Sequence, residues 1–81
     1  MPVTYFVALP FVGTEEGVAP AQAHECQSYG AALRQAEALS RTPPNVGAIA
    51  FSRTGDPDVG QFNDAKIIRT FGMVSERLDE L

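Results

Sequence analysis

The chain has 81 residues, 44% hydrophobic and 20% charged, the composition of a folded domain rather than of a disordered segment. That length allows one domain with one small core, burying only about 60% of the unfolded surface. Ten acidic and six basic residues leave a net charge of −4. Arg34, Arg41, Arg53, Lys66, Arg69 and Arg77 are dispersed, so no basic patch argues for a nucleic-acid partner.

The first element runs from Val3 to Val12. It is apolar at both parities and rich in β-branched and aromatic residues, which predicts a central strand covered on both faces. Pro10 lacks an N–H and is expected near the strand end or at a bulge. Gly13 to Gly17 reads as a hairpin connection of three to five residues. The return segment, Val18 to Cys26, contains Pro20 and alternates loosely, as an edge strand does. Ser28 is a candidate N-cap, and Tyr29, Ala32, Leu33, Ala36 and Leu39 form one apolar helical stripe. Arg34, Glu37 and Arg41 fall outside that stripe, with Glu37 and Arg41 at ion-pairing spacing. Thr42-Pro43-Pro44 ends the helix. Val46 to Ser52 is a second compact apolar strand, Gly55 to Gly60 a turn, and Phe62 to Phe71 its return arm. Placing Ile49 opposite Ile67 and Phe51 opposite Ala65 puts the apolar side chains of both arms on one face. Ser75 is placed to cap a short helix through Leu81.

These elements predict an α+β domain over residues 1–81. Its architecture is ββαββ plus a short C-terminal helix, with a four-stranded antiparallel sheet of order 2-1-3-4 and the main helix on one face. One face then carries Tyr5, Val7, Leu9, Phe11, Ile49 and Phe51, the other Phe6, Ala8, Val12, Val46, Ala48 and Ala50. The main helix covers one face and the short tail from Ser75 to Leu81 at most part of the second, so a homodimer is expected to bury the rest, the alternative being close packing of the tail helix on the alanine-rich face.

The opening Tyr5-Phe-Val-Ala-Leu-Pro-Phe11 and the stretch Asn45-Val-Gly-Ala-Ile-Ala-Phe-Ser-Arg-Thr-Gly-Asp-Pro-Asp-Val-Gly-Gln-Phe62 resemble a family of short uncharacterised bacterial proteins. The resemblance implies a bacterial cytoplasmic protein and brings no functional residue with it. Cys26 is the single cysteine, which suits a reducing compartment. No apolar stretch approaches the ~20 residues of a membrane span, and no basic segment precedes an apolar run at the N-terminus as in a signal peptide.

Several residues invite a chemical reading. His24 and Cys26 are two apart on a strand, so both side chains share a face, as a thiolate and its base would. A second His or Cys is missing, and an inert half-buried thiol is the favoured reading. Asp56, Asp58 and Gly60 begin like a calcium loop, but the twelfth position holds Ile67 instead of glutamate, so solvated turn carboxylates are favoured. Arg53, beside Thr54-Gly55-Asp56, could face an anion; local pairing with Asp56, Asp58 or Asp64 is favoured. Tyr5, Phe6, Phe11, Phe51, Phe62 and Phe71 are assigned to core and interface packing, since stacking on nucleic acid needs a basic surround. Neither a cofactor nor a metal is expected. The expected function is protein interaction or self-association without catalysis. The alternative is a small-ligand binder or enzyme using His24, Cys26 and Arg53.

Overall fold

A computed structural model describes residues 2–75. The strands are β1 (Val3–Thr14), β2 (Gly17–Pro20), β3 (His24–Cys26), β4 (Asn45–Asp56), β5 (Gln61–Phe62) and β6 (Lys66–Gly72), with helix α1 (Tyr29–Ser40) between β3 and β4. Among the described residues the fold is α+β: one helix on a single antiparallel sheet. The sheet has six strands rather than the expected four, because each outer arm is broken in two. β1 and β4 form the centre. β2 and β3 both lie along the outer side of β1, and β5 and β6 along the outer side of β4. The tail helix expected from Ser75 to Leu81 lies outside the described residues, apart from Ser75 itself.

Pro10 gives the break between β2 and β3 a physical cause. It sits inside β1 opposite Ala48, one residue before a register irregularity at Phe11/Val12. Its carbonyl accepts from Ala21 N at 2.9 Å, so its backbone polar groups face the outer arm. With no N–H to donate there, the ladder stops at Phe11↔Pro20 and resumes at Ala8↔His24. The first hairpin is tighter than expected, since Thr14 pairs directly with Gly17 and only Glu15 and Glu16 lie between.

The second arm departs from the expected register. Ile49 lies opposite Thr70 instead of Ile67, and Phe51 opposite Ile67 instead of Ala65. The ladder shifts between Ala50 and Phe51, leaving Ile68 as an extra residue on β6. Ile68 consequently packs with the helix-side cluster while Ile67 stays on the opposite face. β4 also runs further than expected, through Asp56, so the turn contracts to residues 57–60.

Ser28 caps α1 as expected, accepting from Ala31 N at 3.1 Å through Oγ. Removing that acceptor strands a helix-terminal N–H, so Ser28→Ala is expected to cost about 1 kcal/mol. A urea titration would show this as a lower midpoint at unchanged slope. The far end closes on the Arg41 N–H donating to Ala38 O at 3.2 Å and the Thr42 N–H to Leu39 O at 3.1 Å, helped by Asn45 Nδ2 donating to Leu39 O at 3.0 Å. Glu37 and Arg41 make the expected ion pair at 2.8 Å.

The helix lies on the Phe6/Ala8 face. Ala32 and Ala36 from α1 meet Ala8, Ala48 and Ala50 from the sheet, all fully buried, with Phe6, Leu33, Leu39, Ile68 and Phe71 packed around them. Small side chains on both sides let the helix approach the sheet closely, and larger ones would overpack the contact. Tyr29, expected within the buried stripe, is instead 55% exposed at the first helical position.

The opposite face is covered further than the sequence suggests, and by residues that precede the expected tail helix. Leu9, Phe11, Ile49 and Phe51 are buried within the single chain, under Val7, Val18, Ala65 and Val74. Gly72 turns the chain at φ +68°, and Met73 then crosses Gly47, its N–H donating to Val46 O at 3.0 Å. Val74 thereby reaches the cluster as a strap from the chain itself. The basis for expecting a dimer therefore changes, because part of the face already has a cover.

Candidate functional site

β3 sets the positions of His24 and Cys26. Pairing of Ala8 with His24 and of Phe6 with Cys26 puts both side chains on the helix side of the sheet, with Glu25 pointing away. Cys26 packs against the alanine cluster, and its thiol donates to the carbonyl of His24 at 3.5 Å. Both residues are half-buried. A shallow groove beside Cys26, but not His24, is lined by Val3, Thr4, Tyr5, Glu25 and Gln27 as well.

Arg53 belongs to the other face. It pairs across the ladder with Tyr5, on the side that carries Phe51 and Ile49. The sheet therefore stands between Arg53 and the His24/Cys26 pair, and the three do not converge on one pocket. This separation was not legible in the sequence, since it depends on the registers of β3 and β4 against β1.

Asp56 closes β4, and its Oδ1 accepts from the Asp58 backbone N–H at 3.0 Å, while Val59 N donates to Asp56 O at 3.3 Å. Here the carboxylate shapes the turn, as aspartate does at such positions. Asp64 lies outside this turn, near Ser52, Thr54, Asn63 and Lys66 around a niche of about 140 Å³. Among the described residues no three His, Cys, Asp or Glu side chains are grouped to hold a metal ion.

What the fold does assemble is an apolar cluster at one end of the helix-free face. Gly55 lies between Val3 on β1 and Phe62 on β5, and a Cβ at Gly55 would strike the Phe62 ring and approach Gln61 O to 2.7 Å. The bare backbone lets the Phe62 ring pack directly on Gly55, 6.2 Å from the Tyr5 ring and tilted 42° to it. Ile67 joins the same face opposite Phe51. Val3, Phe62 and Ile67 remain 40, 49 and 39% exposed around half-buried Tyr5, Val7 and Arg53. Sequence reasoning assigned Phe62 to packing, and the signal for its special position was Gly55 beside it.

No helix among the described residues is long and apolar enough to cross a membrane. Compared with family models, curated proteins and solved structures, the chain matches none of them.

Proposed function

We propose that this domain is a non-catalytic interaction module that pairs with a second copy of itself through the open end of its helix-free face. The observation that supports this reading is the grouping of Val3, Phe62 and Ile67, exposed around half-buried Tyr5 on one side of the sheet, beyond the part of that side that Val18, Ala65 and Val74 cover. An apolar grouping of this kind gains by leaving water, and two-fold pairing of one patch with itself is the commonest arrangement that achieves it. The chemistry-bearing residues favour no second reading: Cys26 bonds to its neighbour's carbonyl, Asp56 holds a turn, and Arg53 lies across the sheet from both His24 and Cys26. We place the module in the bacterial cytoplasm, a reading supported by its single thiol and by the family resemblance of its two longest strands.

Substitutions on the patch test this. Phe62→Glu and Ile67→Glu would each set two carboxylates against one another across a two-fold interface. Both are expected to shift the mass measured by light scattering toward the monomer. Tyr29→Glu, at an exposed helical position on the other side, is expected to leave it unchanged. Association of both patch variants at wild-type strength would remove the patch from the interface.

A further inference from the structure

We propose that the outer edge of β6 accepts an acidic, extended segment of a partner protein, which adds a strand to the sheet in the groove between β6 and α1. The inference rests on the reading of the domain as an interaction module and supplies a second surface with its own partner chemistry. β6 is hydrogen-bonded to β4 on one side, and no described strand occupies its other side. Met73 N–H bonds to Val46 O, which fixes the phase of the ladder. Counting back through Gly47↔Gly72, Ala48↔Phe71, Ile49↔Thr70 and Ala50↔Arg69, the backbone groups of Phe71 and Arg69 face β4 and those of Thr70 face outward. Thr70 therefore offers an N–H and a C=O to an incoming strand. Glu37, Ser40 and Arg41 from α1 and Arg69 to Gly72 from β6 enclose a groove of about 440 Å³ along this edge. An edge strand flanked by a helix is the setting in which extended peptides are bound by strand addition.

Charge selects the occupant. β6 carries Lys66 and Arg69, both exposed, and no acidic residue, in a chain whose net charge is −4. The Arg69 guanidinium lies 5.5 Å from the centre of the Phe71 ring, and among the described residues neither Arg69 nor Lys66 is ion-paired. Arg41 is already neutralised by Glu37 at 2.8 Å, so the attraction comes from β6 itself. A second copy of β6 would bring a second, equally unpaired Lys66 and Arg69 to the same edge, and gathering like charges across a ladder is destabilising. The same cations that guard the edge against basic or neutral strands are complementary to an acidic one.

The test is fluorescence anisotropy with a labelled peptide of about eight residues alternating Glu and Val, matched to the length of an ordinary strand, with a Lys-Val peptide as control. Binding of the acidic peptide alone, weakening as salt is raised, is expected. Arg69→Glu, an exposed change, is expected to weaken it about tenfold or more. Thr70→Pro removes an outward N–H while sparing the bonds to β4, and is expected to abolish binding with circular dichroism unchanged. Equal binding of the two peptides, wild-type binding by Thr70→Pro, or no binding of the acidic peptide would overturn the proposal. If the peptide fails while the protein still self-associates, strand addition alone falls; if self-association also fails, the interaction module falls with it.

Discussion

Phe11→Ala is expected to cost about 3–5 kcal/mol, the usual range for emptying an aromatic site in a packed core. Phe11 and Ile49 are the largest fully buried side chains, and they meet Leu9 and Phe51 beneath Val18, Ala65 and Val74. The hole cannot close easily, because its walls are strands fixed by ladders on both sides: β1 is paired with β4 across nearly its whole length. A domain of this size has total stability near the lower end of the ~5–15 kcal/mol range, so the loss consumes most of it. Urea unfolding followed by circular dichroism should show the midpoint falling close to zero denaturant, whereas Val59→Ala, 64% exposed in the turn, should leave it nearly unmoved. A Phe11→Ala midpoint equal to wild type would mean that this cluster is not the core.

Gly47→Ala is the second large effect, and its sign is opposite to that of the same exchange elsewhere. A Cβ at Gly47 would fall on the Met73 carbonyl oxygen and within 2.6 Å of Met73 C and N, all backbone atoms that cannot rotate aside. Accommodating it forces Met73 off β4 and breaks the bond to Val46 O, which also lifts Val74 from the cluster. Overpacking and one lost hydrogen bond together suggest about 2–4 kcal/mol. Gly30→Ala, by contrast, meets only the flexible end of Arg34 at 3.3 Å and sits within α1, so it should stabilise by about 0.4–1 kcal/mol. Amide hydrogen exchange separates the two: Met73 should lose protection in Gly47→Ala and keep it in Gly30→Ala.

The central strands and their two faces were legible because alternation alone assigns side chains to faces, and Phe6 and Ala8 do lie opposite to Leu9 and Phe11. The helix was legible from its Ser28 cap and its alanine and leucine stripe. The broken outer arms were not, because their breaks are set by the neighbouring strand: Pro10 interrupts a ladder belonging to residues ten positions away. The register of β6 was missed because the bulge at Ile68 inserts one residue that no pattern of apolar side chains distinguishes. The strap over the second face had a readable sign. Gly47, inside the apolar run from Val46 to Phe51, marks a place where another backbone passes close. At the candidate sites, the shared face of His24 and Cys26 followed from their spacing, whereas their separation from Arg53 required the sheet to be assembled.

Sedimentation equilibrium of the wild-type protein over a range of micromolar concentrations decides whether the domain self-associates, because it weighs the species present without any probe on the patch. Pairing through Val3, Tyr5, Phe62 and Ile67 predicts a mass that rises with concentration toward twice the 8.7 kDa of one chain. A mass of 8.7 kDa at every concentration would contradict self-association.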